Sequence, residues 1–193
     1  MNSKIKILTI FTITVTTSIF TVGIVTAQTK LTSQSKVTIN GIGAVKAGMS
    51  LPEAAAAANT RLYVSFSGSD SCYYLQGEGE LKGISFMVTK DDVKSRQKYV
   101  TSDVIARVDI DDPKFTTVSG AKIGDTETRI KSLYPGQLKV TPHEYVSGGH
   151  YLTLIPRDKT DQNYRVIFET DGKRVTRFRS GKLPEVEFVE GCS

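Results

Sequence analysis

The chain has 193 residues, 39% of them hydrophobic and 23% charged, with 16 Gly, 6 Pro and no Trp. This excludes disordered and collagen-like classes, and the length falls short of the ~250-residue barrel enzymes. A net charge of +5, scattered along the chain, supplies neither a basic footprint for nucleic acid nor a run of cations for an anionic membrane.

Residues 1–27 read as a secretory leader. Lys4 and Lys6 give the positive start, Ile7 to Val25 is an uncharged apolar run, and Val25-Thr26-Ala27 places small residues at a cleavage site. The rival reading is a retained anchor, since about 19 such residues approach a bilayer span. Six threonines in the run favour cleavage after Ala27 and a periplasmic or secreted protein. Cleavage leaves 166 residues, and losing two lysines lowers the charge to +3. Residues 28–40 then read as a linker.

Two segments begin alike. Gly48-Met49-Ser50 aligns with Gly124-Asp125-Thr126, and each precedes a short helix, over 51–58 and 127–134. Ser50 with Glu53 makes a capping box, and five consecutive Ala favour helix. Asn59 ends the first helix and Pro135-Gly136 the second.

Alternating apolar residues follow each helix. In the first half they are Leu62/Val64/Phe66, Cys72 to Leu75, Ile84/Phe86/Val88 and Val104 to Ile110. In the second they are Leu138/Val140, Tyr151 to Ile155, Tyr164/Val166/Phe168 and Thr176/Phe178, with Val186/Phe188 as a last short strand. The polar stretch Asp92 to Asp103 reads as a loop or short helix. The expected fold is α+β: two tandem helix-plus-meander repeats, 41–112 and 113–193, sharing one antiparallel sheet with the helices on one face.

Cys72 and Cys192 are the only cysteines, about 120 residues apart. In an exported chain this reads as one structural disulfide, stabilising by ~4–5 kcal/mol in the chain-entropy picture. Two Cys and two His make no zinc site, and no metal or cofactor is expected.

The helix-start motif and meander, used twice, resemble the β-lactamase-inhibitor-protein-like fold and the SmpA/OmlA lipoprotein modules. Cys72-Tyr73-Tyr74, the Thr117 to Thr126 segment and the Val189 to Ser193 ending also resemble a group of bacterial exported proteins. The inhibitor family keeps a disulfide within each repeat, whereas this one would link the halves. The lipoprotein modules carry a lipidated Cys that this chain lacks. The resemblance implies the fold and carries over no inhibitory residue.

No nucleophile elbow, phosphate loop or zinc-protease motif is present. A non-catalytic binding module is therefore expected, holding an envelope or secreted protein on an open sheet face. Alternation puts Val104, Ala106, Val108, Ile110, Thr176 and Phe178 toward the helices. It puts Ile105, Arg107, Asp109, Val175, Arg177 and Arg179 on the other face, with Met87, Arg165, Ile167 and Glu169. Met87, Arg107, Arg165, Arg177 and Arg179 are the partner-binding candidates, because Arg among large apolar groups is interface composition. One alternative is a cell-surface glycan held by Tyr73, Tyr74, Tyr145 and Tyr151. A second is a small hydrolase using His143 or His150. The sequence leaves the oligomeric state open.

Overall fold

The computed structural model describes residues 30–69, 71–94 and 99–192, so the expected leader lies outside the described residues. Three short strands, β1 (Val37–Thr38), β2 (Gly41–Ile42) and β3 (Val45–Lys46), form a small antiparallel sheet. Helix α1 (Leu51–Ala58) follows, then strands β4 (Leu62–Ser69), β5 (Cys72–Gly77), β6 (Ile84–Lys94) and β7 (Tyr99–Ile110). Helix α2 (Glu127–Leu133) precedes β8 (Leu138–Pro142), β9 (His150–Leu154), β10 (Tyr164–Thr170) and β11 (Val175–Lys182). The eight longer strands form one antiparallel sheet in the order β4-β5-β6-β7-β11-β10-β9-β8. The protein is thus α+β. Among the described residues, no helix is long and apolar enough to cross a membrane.

Each helix is started by the same local chemistry. Gly48 and Gly124 have φ of 91° and 89°, a conformation that disfavours a side chain. Gly48 N–H donates to the Ile105 carbonyl at 2.7 Å, and Ile105 N–H donates to the Met49 carbonyl at 2.8 Å. Gly124 N–H donates to the Val175 carbonyl at 2.8 Å, and Val175 N–H to the Asp125 carbonyl at 2.9 Å. Each helix entry therefore clips onto the last strand of its own half. Ser50 and Thr126 then sit in extended N-cap conformations. Glu53 accepts hydrogen bonds from the Ser50 N–H and O–H, both at 2.8 Å. Thr126 accepts from Arg129 N–H at 3.2 Å. Asn59, left-handed at φ 47°, closes α1.

The main core lies between the helices and one sheet face. Phe86, Phe168, Phe178, Ile110 and Leu152 from the sheet meet Ala54, Ala58, Ile130 and Tyr134 from the helices. The small alanines let α1 lie close to the sheet. Residues 30–40 are not a linker. Leu31 and Val37 are buried in this core, Leu31 N–H donates to the Ala58 carbonyl at 2.9 Å, and Val37 pairs with Ile42. The described parts of the Asp92 to Asp103 stretch are strand: they continue β6 to Lys94 and β7 from Tyr99, with residues 95–98 outside the described residues.

Two bulges correct the expected faces. The register shifts at Met87/Val88 opposite Arg107/Ile105, and at Glu169/Thr170 opposite Arg177/Val175. Ile105 and Val175 consequently join the main core, whereas Ala106 joins the opposite face and Thr176 is exposed. Ile105 and Val175 are the residues clipped by the helix entries, which accounts for the local break in alternation.

Candidate functional site

The second sheet face is not open. After Lys182 the chain turns back and crosses it, with a 3-10 turn at Glu185–Glu187 where a ninth strand was expected. Buried arginines take the carbonyls that such a strand would offer a neighbour. Arg107 Nη1 donates to the Glu185 and Phe188 carbonyls at 3.0 and 2.6 Å, and Arg179 Nε donates to the Val186 carbonyl at 2.6 Å. Arg107 also binds Asp109 Oδ2 at 2.9 Å and the Tyr74 hydroxyl at 2.9 Å, while Arg179 pairs with Glu169. Two apolar clusters flank this polar strip. One is Met87, Ala106 and Cys192 with Cys72 and Tyr74; the other is Tyr151, Ile167 and Val186 with Leu183 and Val189. The Cys72–Cys192 disulfide fastens the tail, with a Cα–Cα distance of 5.3 Å.

This corrects the partner-binding surface. Met87, Arg107 and Arg179 are 0%, 3% and 3% exposed, so the tail already occupies the positions a partner would need. Arg165 is half-buried and donates to the Gln162 and Tyr164 carbonyls at 2.7 Å each. Arg177 stays exposed, 3.4 Å from Asp111, 3.9 Å from Asp109 and 4.0 Å from Glu169. Burial pushes the Asp111 carboxyl above its ordinary range, partly opposed by Arg177.

The four tyrosines do not form one cluster. Tyr73 and Tyr74 are consecutive in a strand and face opposite sides of the sheet. Tyr73 packs against the main core and donates to Asp103 at 2.9 Å. Burial and that partner push its pKa up to about 12. Tyr74 lies under the tail, and its phenol is raised first by burial. Tyr151 is buried and stacked on His143, with ring centroids 4.4 Å apart. Tyr145 is exposed.

Both histidines are held through Nδ1 by neighbouring groups. His143 Nδ1 accepts the N–H groups of Tyr145 and Val146 at 3.1 and 3.2 Å, which places its proton on Nε2, 3.5 Å from Glu169. His150 Nδ1 lies 2.7 Å from Glu127 Oε1, which also accepts from Thr170 O–H at 2.6 Å. Lys131 reaches Glu127 Oε2 at 3.2 Å. This cluster anchors the first turn of α2. Among the described residues, no group of three or more His, Cys, Asp or Glu is placed to hold a metal ion.

Burial alone would raise Glu127, but the bonds from Thr170, His150 and Lys131 outweigh it and hold its carboxyl below the ordinary range. A lowered folded pKa contributes stability above the unfolded value and loses it as pH falls through the folded one. Glu127→Gln is therefore expected to cost most above about pH 4.5 and progressively less below it. Urea titrations of both proteins from about pH 7 to pH 3 check this; a constant gap would remove the carboxylate's role.

A shallow groove of about 650 Å³ opens beside the disulfide. The β4–β5 turn (Ser69, Ser71, Cys72), Thr89, Glu144, Tyr145 and the tail from Phe188 to Cys192 line it. Tyr145 is 62% exposed and Phe188 42%. Tyr145 O–H donates to Glu190, and that bond, first among its causes, pushes the phenol to about 12. Hydroxyls, carboxylates and two aromatic faces meet here, with no Lys, Arg or His among the described lining residues. Sequence reasoning picked out Tyr145 but set Phe188 in a strand and missed the serines, Thr89 and both glutamates. The only sequence signal joining these segments was the cysteine pair.

The sequence matches no family model and no curated protein. A solved structure, described as the crystal structure of the uncharacterized protein yfeY from Escherichia coli, is similar to it. The match has a TM-score of 0.44 and 16% identity, and covers 76% of this chain and 99% of that one.

Proposed function

We propose that this is an exported, non-catalytic binding module whose ligand site is the groove beside the disulfide, and that the ligand is a hydroxyl-rich cell-surface carbohydrate. The observation that carries this reading is the pair of exposed aromatics, Tyr145 and Phe188, rising from a groove lined with hydroxyls and carboxylates. Sugars present apolar ring faces edged by hydroxyl groups, and such a lining answers both. Export is supported by the leader-like residues 1–27 and by the disulfide. The matching clips of Gly48 and Gly124 support reading the halves as two copies of one unit.

The test is binding of the mature chain to immobilised neutral hexasaccharides, cellohexaose and chitohexaose. Tyr145→Ala and Phe188→Ala are each expected to weaken retention about tenfold, the size of one lost aromatic contact, with the circular dichroism spectrum unaltered. Equal binding by both variants would move the site elsewhere. A protein partner is the second reading, favoured by the exposed Arg177, whose guanidinium lies 3.4 to 4.0 Å from three carboxylates. Capture of one envelope protein that is lost on Arg177→Ala but kept on Tyr145→Ala would select it.

A further inference from the structure

We propose that the Cys72–Cys192 disulfide is a redox clasp on the groove: the oxidised chain holds the site formed, and a dithiol reductant opens it. This rests on the groove reading for its consequence. Both cysteines line the groove, and Phe188 to Cys192 supply one of its walls.

The tail has two differently anchored parts. Up to Phe188 it is held by the buried Arg107 and Arg179 through its carbonyls, and by Val186 packed against Tyr151 and Ile167. Beyond Phe188 the anchors include half-buried Val189 at the edge of the Tyr151 cluster, an exposed hydrogen bond from Tyr145 to Glu190, and the disulfide. Gly191 passes so close over the sheet that a Cβ there would lie 2.5 Å from the Tyr74 hydroxyl. Cys192 then closes over Met87 and Ala106. Breaking the bond removes the covalent hold on the last residues and leaves them to side-chain packing, while the first part keeps its arginine anchors.

Cys72 is the less buried of the two. A reductant thiolate attacks the Cys72 sulfur and expels the Cys192 thiolate, which takes a proton from water. The reductant's second thiol then attacks the mixed disulfide and releases Cys72, which is protonated in turn. Two electrons pass to the protein disulfide, and the dithiol becomes a cyclic disulfide.

The experiment follows amide hydrogen exchange and hexasaccharide retention on the mature chain as isolated, after dithiothreitol, and after reoxidation. We expect amides after Phe188 to exchange about tenfold faster on reduction, with β6, β7 and β10 still protected. Retention should fall about tenfold, and both changes should reverse on reoxidation. An unchanged tail, or loss of protection throughout the sheet, would overturn the clasp. Equal hexasaccharide retention in all three states fails the clasp alone; absence of retention in all three fails the groove reading and the gate built on it.

Discussion

Replacing Arg107 by Leu is expected to cost about 3–5 kcal/mol of folding stability, because it strands a buried carboxylate. Asp109 lies on the same strand face, is equally buried, and receives Arg107 Nε at 2.9 Å. Its other oxygen, Oδ1, has no hydrogen-bond partner among the described residues and faces Arg177 at 3.9 Å, so Arg107 is its main compensation. The substitution also removes the donor to the Glu185 and Phe188 carbonyls and to the Tyr74 hydroxyl, each costly when left buried and unpaired.

The same argument predicts that adding Asp109→Leu returns a large part of the loss. An apolar pair of similar volume often replaces a buried ion pair at little cost. Urea unfolding of the single and double variants measures both values. A single-variant cost under about 1 kcal/mol would mean that Arg107 behaves as an exposed residue and is available to a partner after all.

Much of the fold was legible in the sequence, and the reasons differ by element. Helix α1 could be read because its signals are local: Ser50, Glu53, the alanine run and Asn59 act within one another's reach. Each of the eight strands of the large sheet overlaps an apolar segment visible in the sequence, because strands that cover a core carry such residues. What failed was long-range. Bulges at Ile105 and Val175 flip the alternation, and they are set by contacts with Gly48 and Gly124, far off in sequence. Val186 and Phe188 alternate like a strand, yet Arg107 and Arg179 claim the carbonyls around them.

The candidate site was harder still. Arg, Met and Glu on one strand face carry the same composition whether that face meets a partner or the chain's own tail. Only the tail's path distinguishes the two, and the cysteine pair records that path without showing which face it crosses. The groove draws on four separate segments, so no spacing within any one of them announces it. Tyr145 could be named as a candidate from residue type, whereas Phe188 beside it could not be told from a core residue.

Phe168→Ala is expected to lower stability by about 3–5 kcal/mol, the range for emptying an aromatic site in a packed core. Phe168 is fully buried in β10, with its ring centroid 5.9 Å from that of Tyr134 and 5.5 Å from that of Phe178. Tyr134 closes α2, and its hydroxyl is paired with Thr117 at 2.8 Å. That polar bond fixes one side of the ring and limits how far it can fall into the vacated space. Phe178 is held by its place in β11, between β7 and β10. The cavity therefore stays open, and the cost belongs near the top of the range, a large share of the ~5–15 kcal/mol that domains hold. Phe168→Leu, which keeps more of the volume, should cost clearly less. The two midpoints in urea, at constant slope, decide the matter. Equal losses for Ala and Leu would mean that ring contacts with Tyr134 and Phe178, rather than filled volume, stabilise this part of the core.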